Sequence, residues 1–183
     1  MWKILELLPK EYIEEVYEDS LELVEMKERG VEFEDENGLT VSKVKPESRI
    51  SKQNMSIQYP YYPHINKLFV EAIKEHMGDE RPHEIKEYNY LHYGVGGHFK
   101  RHGDFFEYPD VYLTRRWAFI TPIHYSDDLT GGTLTLWESD DIKHDVKLKI
   151  GETLIFHPAL HHQVNPVITG KREVLASWAM WKK

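Results

Sequence analysis

The pattern of apolar and polar positions divides the chain into a helical first part and a strand-rich second part. From Lys10 to Arg29, apolar residues recur at helical spacing with glutamates mostly off their stripe, which predicts an amphipathic helix packed on a sheet. A second helical stripe lies between Pro63, which suits a first turn, and Gly78, which suits a helix end. The first stripe consists of Ile13, Val16, Tyr17, Leu21 and Val24, and the second of Ile65, Leu68, Phe69, Ala72, Ile73 and Met77.

From about Glu84 onward the periodicity is that of short strands. Seven segments have this character: IKEYNYLHY, YLTRRWAFITPIHY, TLTLWE, HDVKLKI, ETLIFH, HQVNPV and REVLASWAMW. Helices followed by seven or eight strands predict a mainly β (α+β) fold, an antiparallel sandwich or barrel with helices on one outer face. A hairpin around Asn37 and Gly38 is also predicted. We expect one domain over residues 1–183, with a helical support region at 1–83 and a β core at 84–183.

Composition limits the chemistry that the chain can perform. It contains no cysteine, which excludes disulfides, thiolate nucleophiles, Fe–S clusters and cysteine zinc sites, so a metal must bind His, Asp or Glu. Residues 1–50 carry 14 acidic and 7 basic side chains, and the remainder, with 17 and 16, is almost neutral. No basic footprint for nucleic acid is visible, although a local basic groove is compatible with a neutral average. No signal peptide or membrane span is visible, so we expect a soluble, cytoplasmic protein.

One stretch, HYGVGGHFKRHGDF, concentrates histidine and glycine with an aspartate. His102 and Asp104 are two residues apart, so on an extended strand both side chains leave the same face and can bind one ion. A third ligand must come from another strand, and His157, His161 and His162 are available. Strand alternation selects His162, because His161 then points outward and His157 lies near the preceding turn. Two histidines and one carboxylate on one side of an octahedron are the ligands of non-haem Fe(II) oxygenases.

Arg172 lies ten residues beyond His162 on a strand whose same face carries Val174, Ala176 and Trp178. A single inward cation among apolar neighbours is costly unless it meets an anion, and the planar guanidinium suits a carboxylate. An acidic co-substrate beside the metal is therefore predicted.

These motifs together resemble the prolyl 4-hydroxylase-like branch of the Fe(II)/2-oxoglutarate dioxygenases, over roughly residues 85–181. YGVGGHFKRHGDF is similar to its strand motif of Tyr, a glycine turn, an aromatic and His-x-Asp. GGTLTLW resembles its Gly-Gly turn and strand, with Thr133 where the branch usually has Glu. IGETLIFHPALHHQVNPVITGKREVLASW resembles its closing segment, with the distal His and a basic residue ten positions later. Four motifs in the right order make the resemblance specific.

The resemblance implies a double-stranded β-helix (a jelly-roll) and roles for particular residues. His102, Asp104 and His162 would bind Fe(II), Arg172 would hold the distal carboxylate of 2-oxoglutarate, and Tyr93 would line the co-substrate pocket. O2 would be the second co-substrate and L-ascorbate a reductant. The branch's further Arg and hydroxyl residue do not align cleanly with this chain, and Arg116 or Thr121 are the candidates.

The implied activity is hydroxylation of a C–H bond of a prolyl residue in a peptide or protein, with release of succinate and CO2. The alternatives are a free amino acid or other small molecule as substrate, or a non-catalytic β-helix protein that binds metal or ligand. Nucleic acid is disfavoured. The other histidines at 98, 124, 144, 157 and 161 suit a polar surface. Five aromatics fit a substrate platform and barrel filling equally: Tyr88, Tyr90, Tyr108, Trp117 and Trp137.

Overall fold

A computed structural model describes residues 1–22, 26–28, 31–34, 40–54, 62–105 and 110–183. Two α-helices and sixteen strands, numbered in chain order, lie in this part of the chain. The helices are α1 (Lys10–Glu22) and α2 (Pro63–Ala72), and α2 continues into a π-helical turn, Ile73–Met77. A 3-10 turn covers Val111–Leu113.

Two antiparallel sheets form the body of the molecule. The major sheet contains seven strands, in the spatial order β1 (Trp2–Glu6), β13 (Glu152–Phe156), β9 (Trp117–Tyr125), β16 (Arg172–Trp181), β7 (His83–Tyr93), β6 (Lys52–Asn54) and β2 (Met26–Glu28). The minor sheet contains β12 (Lys143–Val146), β11 (Leu134–Trp137), β14 (His161–Val164), β8 (His98–His102) and β5 (Arg49–Ile50). Two ribbons complete the strands, β3 (Val31–Glu34) with β4 (Thr40–Lys43) and β10 (Thr130–Gly131) with β15 (Val167–Thr169).

Strand alternation gives the major sheet two buried faces. On β16, Val174, Ala176 and Trp178 enter the core between the two sheets, whereas Leu175 and Ala179 enter a second core under the helices. Because both faces are covered, β16 is a continuous buried run. The prediction of a mainly β fold with helices on one outer face is confirmed.

The second predicted helix has the limits that the sequence indicated. Pro63 occupies its first turn, and Gly78 ends the π-helical turn with φ of 70°, a left-handed conformation that glycine adopts without steric cost. The stripe residue Phe69 is fully buried and stacks on Phe119 of β9, with ring centroids 4.3 Å apart.

The first helix is shorter than the predicted one, which extended to Arg29. In the structure α1 ends at Glu22, and β2, which begins at Met26, pairs with β6 at the edge of the major sheet. Pairing with a sheet edge outweighs local helical periodicity here. Of the predicted stripe, Leu21 is 61% exposed and Val24 lies outside the described residues.

The first 83 residues contribute strands as well as helices. β1 and β6 extend the major sheet and β5 extends the minor one. β3 pairs with β4 as the predicted hairpin requires, while its turn at Asn37 and Gly38 lies outside the described residues. Among the described residues, no helix is long and apolar enough to cross a membrane.

Candidate active site

Three side chains with metal-binding groups converge where two central strands of the minor sheet meet. β8 ends at His102, which is the antiparallel partner of His162 on β14. Asp104 follows β8, and its backbone N–H donates a 2.8 Å hydrogen bond to the carbonyl of Pro158, in the turn before β14. Strand pairing thus brings together residues that are 60 positions apart in the sequence.

The donor atoms of these side chains form a compact group. His102 Nε2 lies 3.7 Å from Asp104 Oδ1, and His162 Nε2 lies 3.6 Å from Asp104 Oδ2. One ligand atom from each residue lies within 4.8 Å of the others, and this is the one such group among the described residues. His102, Asp104 and His162 have side-chain exposures of 18, 16 and 4%, so the group opens toward one side.

Backbone carbonyls set the orientation of both imidazoles. His102 Nδ1 lies 2.7 Å from the carbonyl of Lys100, and His162 Nδ1 lies 3.1 Å from the carbonyl of Leu160. A carbonyl only accepts hydrogen bonds, so each Nδ1 carries the proton and donates it. The lone pair of each ring is therefore on Nε2, the atom that faces Asp104.

The electrostatics of the group favour the protonation states that a cation needs. Burial lowers the pKa of His102 to about 3, with His162 acting in the same direction, so the ring is neutral at physiological pH. Burial raises the pKa of Asp104, but His162, His102 and Arg115 together hold it below its usual range. An ionised carboxylate beside two imidazoles that both present Nε2 is a donor set that fits Fe(II).

Two residues that the sequence did not assign to the site support Asp104. Trp178 Nε1 donates a 3.2 Å hydrogen bond to Asp104 Oδ2. Arg115 lies over the Trp178 ring at 4.1 Å and is paired with Glu87. Trp178 shares its strand face with Arg172, and that alternation was the signal that placed it in the interior.

A cavity of about 460 Å³ runs from this group into the space between the sheets. Arg172 and Tyr93 both line it. Arg172 is 3% exposed, its Nη1 donates to the Gly132 carbonyl, and its guanidinium lies 5.6 Å from the centre of the Tyr93 ring. Within the described part of the chain, no carboxylate lies within 4.0 Å of this guanidinium.

Thr121 and Arg116, the candidates for the branch's hydroxyl residue and further Arg, lie away from the cavity. Thr121 is fully buried, but its hydroxyl is 2.8 Å from that of Thr153, on the helix-covered face of the major sheet. Arg116 lies over the Trp181 ring at 3.6 Å. Neither lines the cavity. Thr121 lies on β9, where strand alternation directs its side chain to the face covered by the helices.

Most of the aromatics that fitted a substrate platform instead fill the helix-side core. Tyr88, Tyr90 and Trp117 are buried there, and Trp137 lies under Arg101 at 4.9 Å. Tyr108 lies outside the described residues. None of the four described residues lines the cavity, whose aromatic lining comes from other positions, including Phe99 and Trp178.

The remaining histidines named above stay outside the metal-binding group. His161 is exposed on the strand beside His162, and His157 packs against Phe105 and Trp117. His124 stacks on Tyr17 of α1. His98 and His144 contact the Gly96 carbonyl and Glu138.

A family model described as the 2OG-Fe(II) oxygenase superfamily matches residues 88–180, which contain the donor group and Arg172. The chain belongs to this superfamily. The oxygenase therefore uses Fe(II), with 2-oxoglutarate and O2 as co-substrates. No curated protein matches the chain by sequence.

Solved structures share the double-stranded β-helix fold of this oxygenase. A prolyl-4-hydroxylase of Pseudomonas putida is 17% identical, with a TM-score of 0.69 over 100% of this chain and 93% of that chain. A Trichoplax adhaerens prolyl hydroxylase, solved with a hypoxia inducible factor oxygen degradation domain peptide fragment, is 16% identical, with a TM-score of 0.67 over 98% and 83%. SnoN, a non-heme alpha ketoglutarate dependent epimerase of nogalamycin biosynthesis, is 11% identical, with a TM-score of 0.66 over 98% and 76%.

The contact between Trp178 and Asp104 gives a first testable prediction. Trp178→Phe keeps most of the ring but removes the N–H that orients the carboxylate, so Fe(II) affinity should fall about 10–100-fold. Anaerobic titration with Fe(II) measures this. Trp117→Phe is the matched control, because it removes a 3.2 Å hydrogen bond to Asp79, which does not line the cavity. Equal Fe(II) affinity in the two variants would contradict the orienting role.

Proposed function

We propose that this oxygenase hydroxylates a C–H bond of a prolyl residue in a peptide or protein. In the overall reaction 2-oxoglutarate loses CO2 and becomes succinate, one oxygen atom of O2 enters succinate, and the other enters the C–H bond. The proposal treats residues 1–183 as one catalytic domain, since strands from both ends of the chain build the two sheets.

The observation that carries the proposal is one cavity that contains both a metal-donor group and a buried arginine without a carboxylate partner among the described residues. His102, Asp104 and His162 would hold Fe(II) through Nε2, a carboxylate oxygen and Nε2. The metal, when bound, supplies the activation of O2 for the oxidation. A set of three protein ligands would leave room for the co-substrates at the metal.

The guanidinium of Arg172 would bind the distal carboxylate of 2-oxoglutarate. A buried cation of this kind is stabilised by an anion that reaches it, and the planar fork matches a carboxylate. Tyr93 forms part of the cavity wall beside this arginine. Apolar neighbours such as Val164 and Val174 exclude water around the guanidinium and the bound carboxylate. Exclusion of water strengthens the electrostatic attraction between these two groups.

Two observations support a prolyl residue as the group that is oxidised. The motifs around both histidines are similar to those of prolyl 4-hydroxylases, and two solved structures that share the fold are prolyl hydroxylases. A free amino acid or other small molecule is the second candidate, because a volume of about 460 Å³ is typical of small-ligand sites.

The test is formation of succinate with Fe(II), O2 and 2-oxoglutarate while single substrates are added in turn. Proline-containing peptides should increase the rate and gain one oxygen atom by mass spectrometry. Free proline, other amino acids and single-stranded oligonucleotides form the comparison panel. Stimulation by an amino acid alone would favour the second candidate. No succinate under any condition, with the Fe(II) site loaded, would contradict the proposal.

A further inference from the structure

A second arginine of the cavity has no role in the proposed reaction. Arg49 lies on β5, the edge strand of the minor sheet, and pairs with Phe99 on β8. It is 7% exposed, and it lines the same cavity as the metal-donor group. It belongs to a different sheet from Arg172, so the two guanidinium groups enter the cavity from different walls.

The contacts of Arg49 with the described residues are a hydrogen bond to a hydroxyl and a cation–π contact. Nε donates a 2.7 Å hydrogen bond to the Ser51 hydroxyl, and the guanidinium lies over the Phe99 ring, 4.4 Å from its centroid. In the described ranges, no Asp or Glu oxygen lies within 4.0 Å of it. A recessed cation that contacts a hydroxyl and a ring among these residues is suited to an anion from outside the chain.

Arg49 is also close to the reacting centre. The Phe99 ring on which it lies is itself stacked on His102, with ring centroids 3.4 Å apart. Arg49, Phe99 and His102 therefore form a layered column, in which one ring separates the guanidinium from a residue of the metal-donor group.

The charge of the cavity wall also favours the binding of an anion. Its lining contains six cationic side chains but one carboxylate, that of Asp104, in a chain whose net charge is -8. Two of the cations are neutralised locally, Arg101 by Asp140 and Arg115 by Glu87. Lys100, which also lines the cavity, is exposed. A concave, positively charged entrance of this kind concentrates anions from solution.

From this arrangement we propose that Arg49 binds a carboxylate of the substrate that is oxidised, so that the enzyme selects acidic substrates. The carboxylate is either that of a free amino or organic acid or that of an acidic residue next to the reacting residue in a peptide. The proposal rests on the proposed function, because it uses the same cavity.

The recessed position of Arg49 favours a carboxylate over nucleic acid. A single buried guanidinium neutralises one charge, which is the charge of a carboxylate, and its fork accepts the two oxygens together. A nucleic-acid strand instead requires a basic groove that follows its backbone over several nucleotides. Here six cationic side chains line one cavity of about 460 Å³.

The experiment compares probes that differ only in the carboxylate. The first pair is L-proline and L-prolinamide, and the second is the peptides acetyl-Ala-Pro-Glu-Ala-amide and acetyl-Ala-Pro-Gln-Ala-amide. Binding is measured anaerobically by calorimetry with Fe(II) and 2-oxoglutarate present, and KM from succinate formation in air. The acidic member of at least one pair should bind at least about tenfold more tightly, because its carboxylate would be paired with a desolvated guanidinium.

Variants of Arg49 decide whether this residue causes the preference. Arg49→Gln should remove the difference within the pair, and Arg49→Lys should restore part of it, while the affinity for 2-oxoglutarate changes little. Lys3→Gln, which removes the same charge from the exposed face of β1, should leave the preference intact. A higher salt concentration should weaken binding of the acidic probe more than that of its neutral partner.

Several outcomes would overturn the inference. Equal binding of both members of each pair, no binding by any probe, or an unchanged preference in Arg49→Gln would each do so. Binding of a single-stranded oligonucleotide that is lost in Arg49→Gln would replace the carboxylate by nucleic acid. An incorrect proposed function gives a different result. The wild type then forms no succinate, while calorimetry still measures whether the acidic probe binds more tightly and whether Arg49 is required.

Discussion

Replacement of His102, Asp104 or His162 by Ala is expected to lower Fe(II) affinity by more than about a hundredfold and to abolish succinate formation. Changes in groups that only orient a ligand already cost about 10–100-fold, and loss of a ligand from a set of three removes a bond to the metal itself. Anaerobic titration gives the affinity directly. The same samples, supplied with O2 and 2-oxoglutarate, give the rate of succinate formation.

His161→Ala is the matched control for this experiment. His161 is adjacent to His162 in sequence, has the same chemistry, and is exposed on the opposite face of β14. Its replacement should leave both measurements near wild type. Normal Fe(II) binding by His162→Ala together with loss in His161→Ala would show that strand alternation had been assigned in the wrong sense. Circular dichroism of each variant separates loss of a ligand from loss of the fold.

Arg172→Ala is expected to weaken 2-oxoglutarate binding by about 2–5 kcal/mol, at least about thirtyfold, while Fe(II) affinity stays near wild type. The variant leaves one carboxylate of the co-substrate unpaired in a cavity with little access to water. Arg172→Lys should recover part of the affinity, because it keeps the charge but loses the planar fork. Anaerobic titration with 2-oxoglutarate gives the affinity of the Fe(II)-loaded wild type and of both Fe(II)-loaded variants.

Arg81→Ala provides the control for loss of an arginine. Arg81 pairs with Asp79 and lies over Trp181, and none of these residues lines the cavity. Its replacement should not change 2-oxoglutarate affinity. An Arg172→Ala variant that binds 2-oxoglutarate as tightly as the wild type would mean that another group holds the distal carboxylate. Arg49 would then be the first residue to examine, since it is the other buried cation in the cavity.

Local features of the sequence determined several elements correctly. The helix that begins at Pro63 and the stop at Gly78 depend on the fixed φ of proline and on the tolerance of glycine for positive φ, which act within single residues. Alternation along β16 placed Arg172 and Trp178 on one face for a similarly local reason, because successive side chains of a strand point to opposite sides. The two-residue spacing of His102 and Asp104 is local in the same sense.

Where local and distant interactions compete, the sequence was not sufficient. The helical stripe beyond Glu22 gave way to β2, because pairing with β6 satisfies the backbone at the edge of the sheet. Thr121 lies on a strand that was recognised, yet its hydroxyl faces Thr153 on the helix-covered side. Which face of a strand meets which core depends on how sheets and helices pack, and periodicity alone does not specify that.

The sequence by itself therefore determined the mainly β fold class, the second helix and the oxygenase family, and it predicted the donor residues. The tertiary structure decided which of them meet: it set His162 opposite His102, aimed the indole of Trp178 at Asp104, and brought Arg49 from an unassigned N-terminal segment onto Phe99. The physical reason is the distance along the chain over which each interaction acts. Periodicity and turn preference act over a few residues, whereas these contacts join strands dozens of residues apart, and their pairing follows from the packing of the whole core.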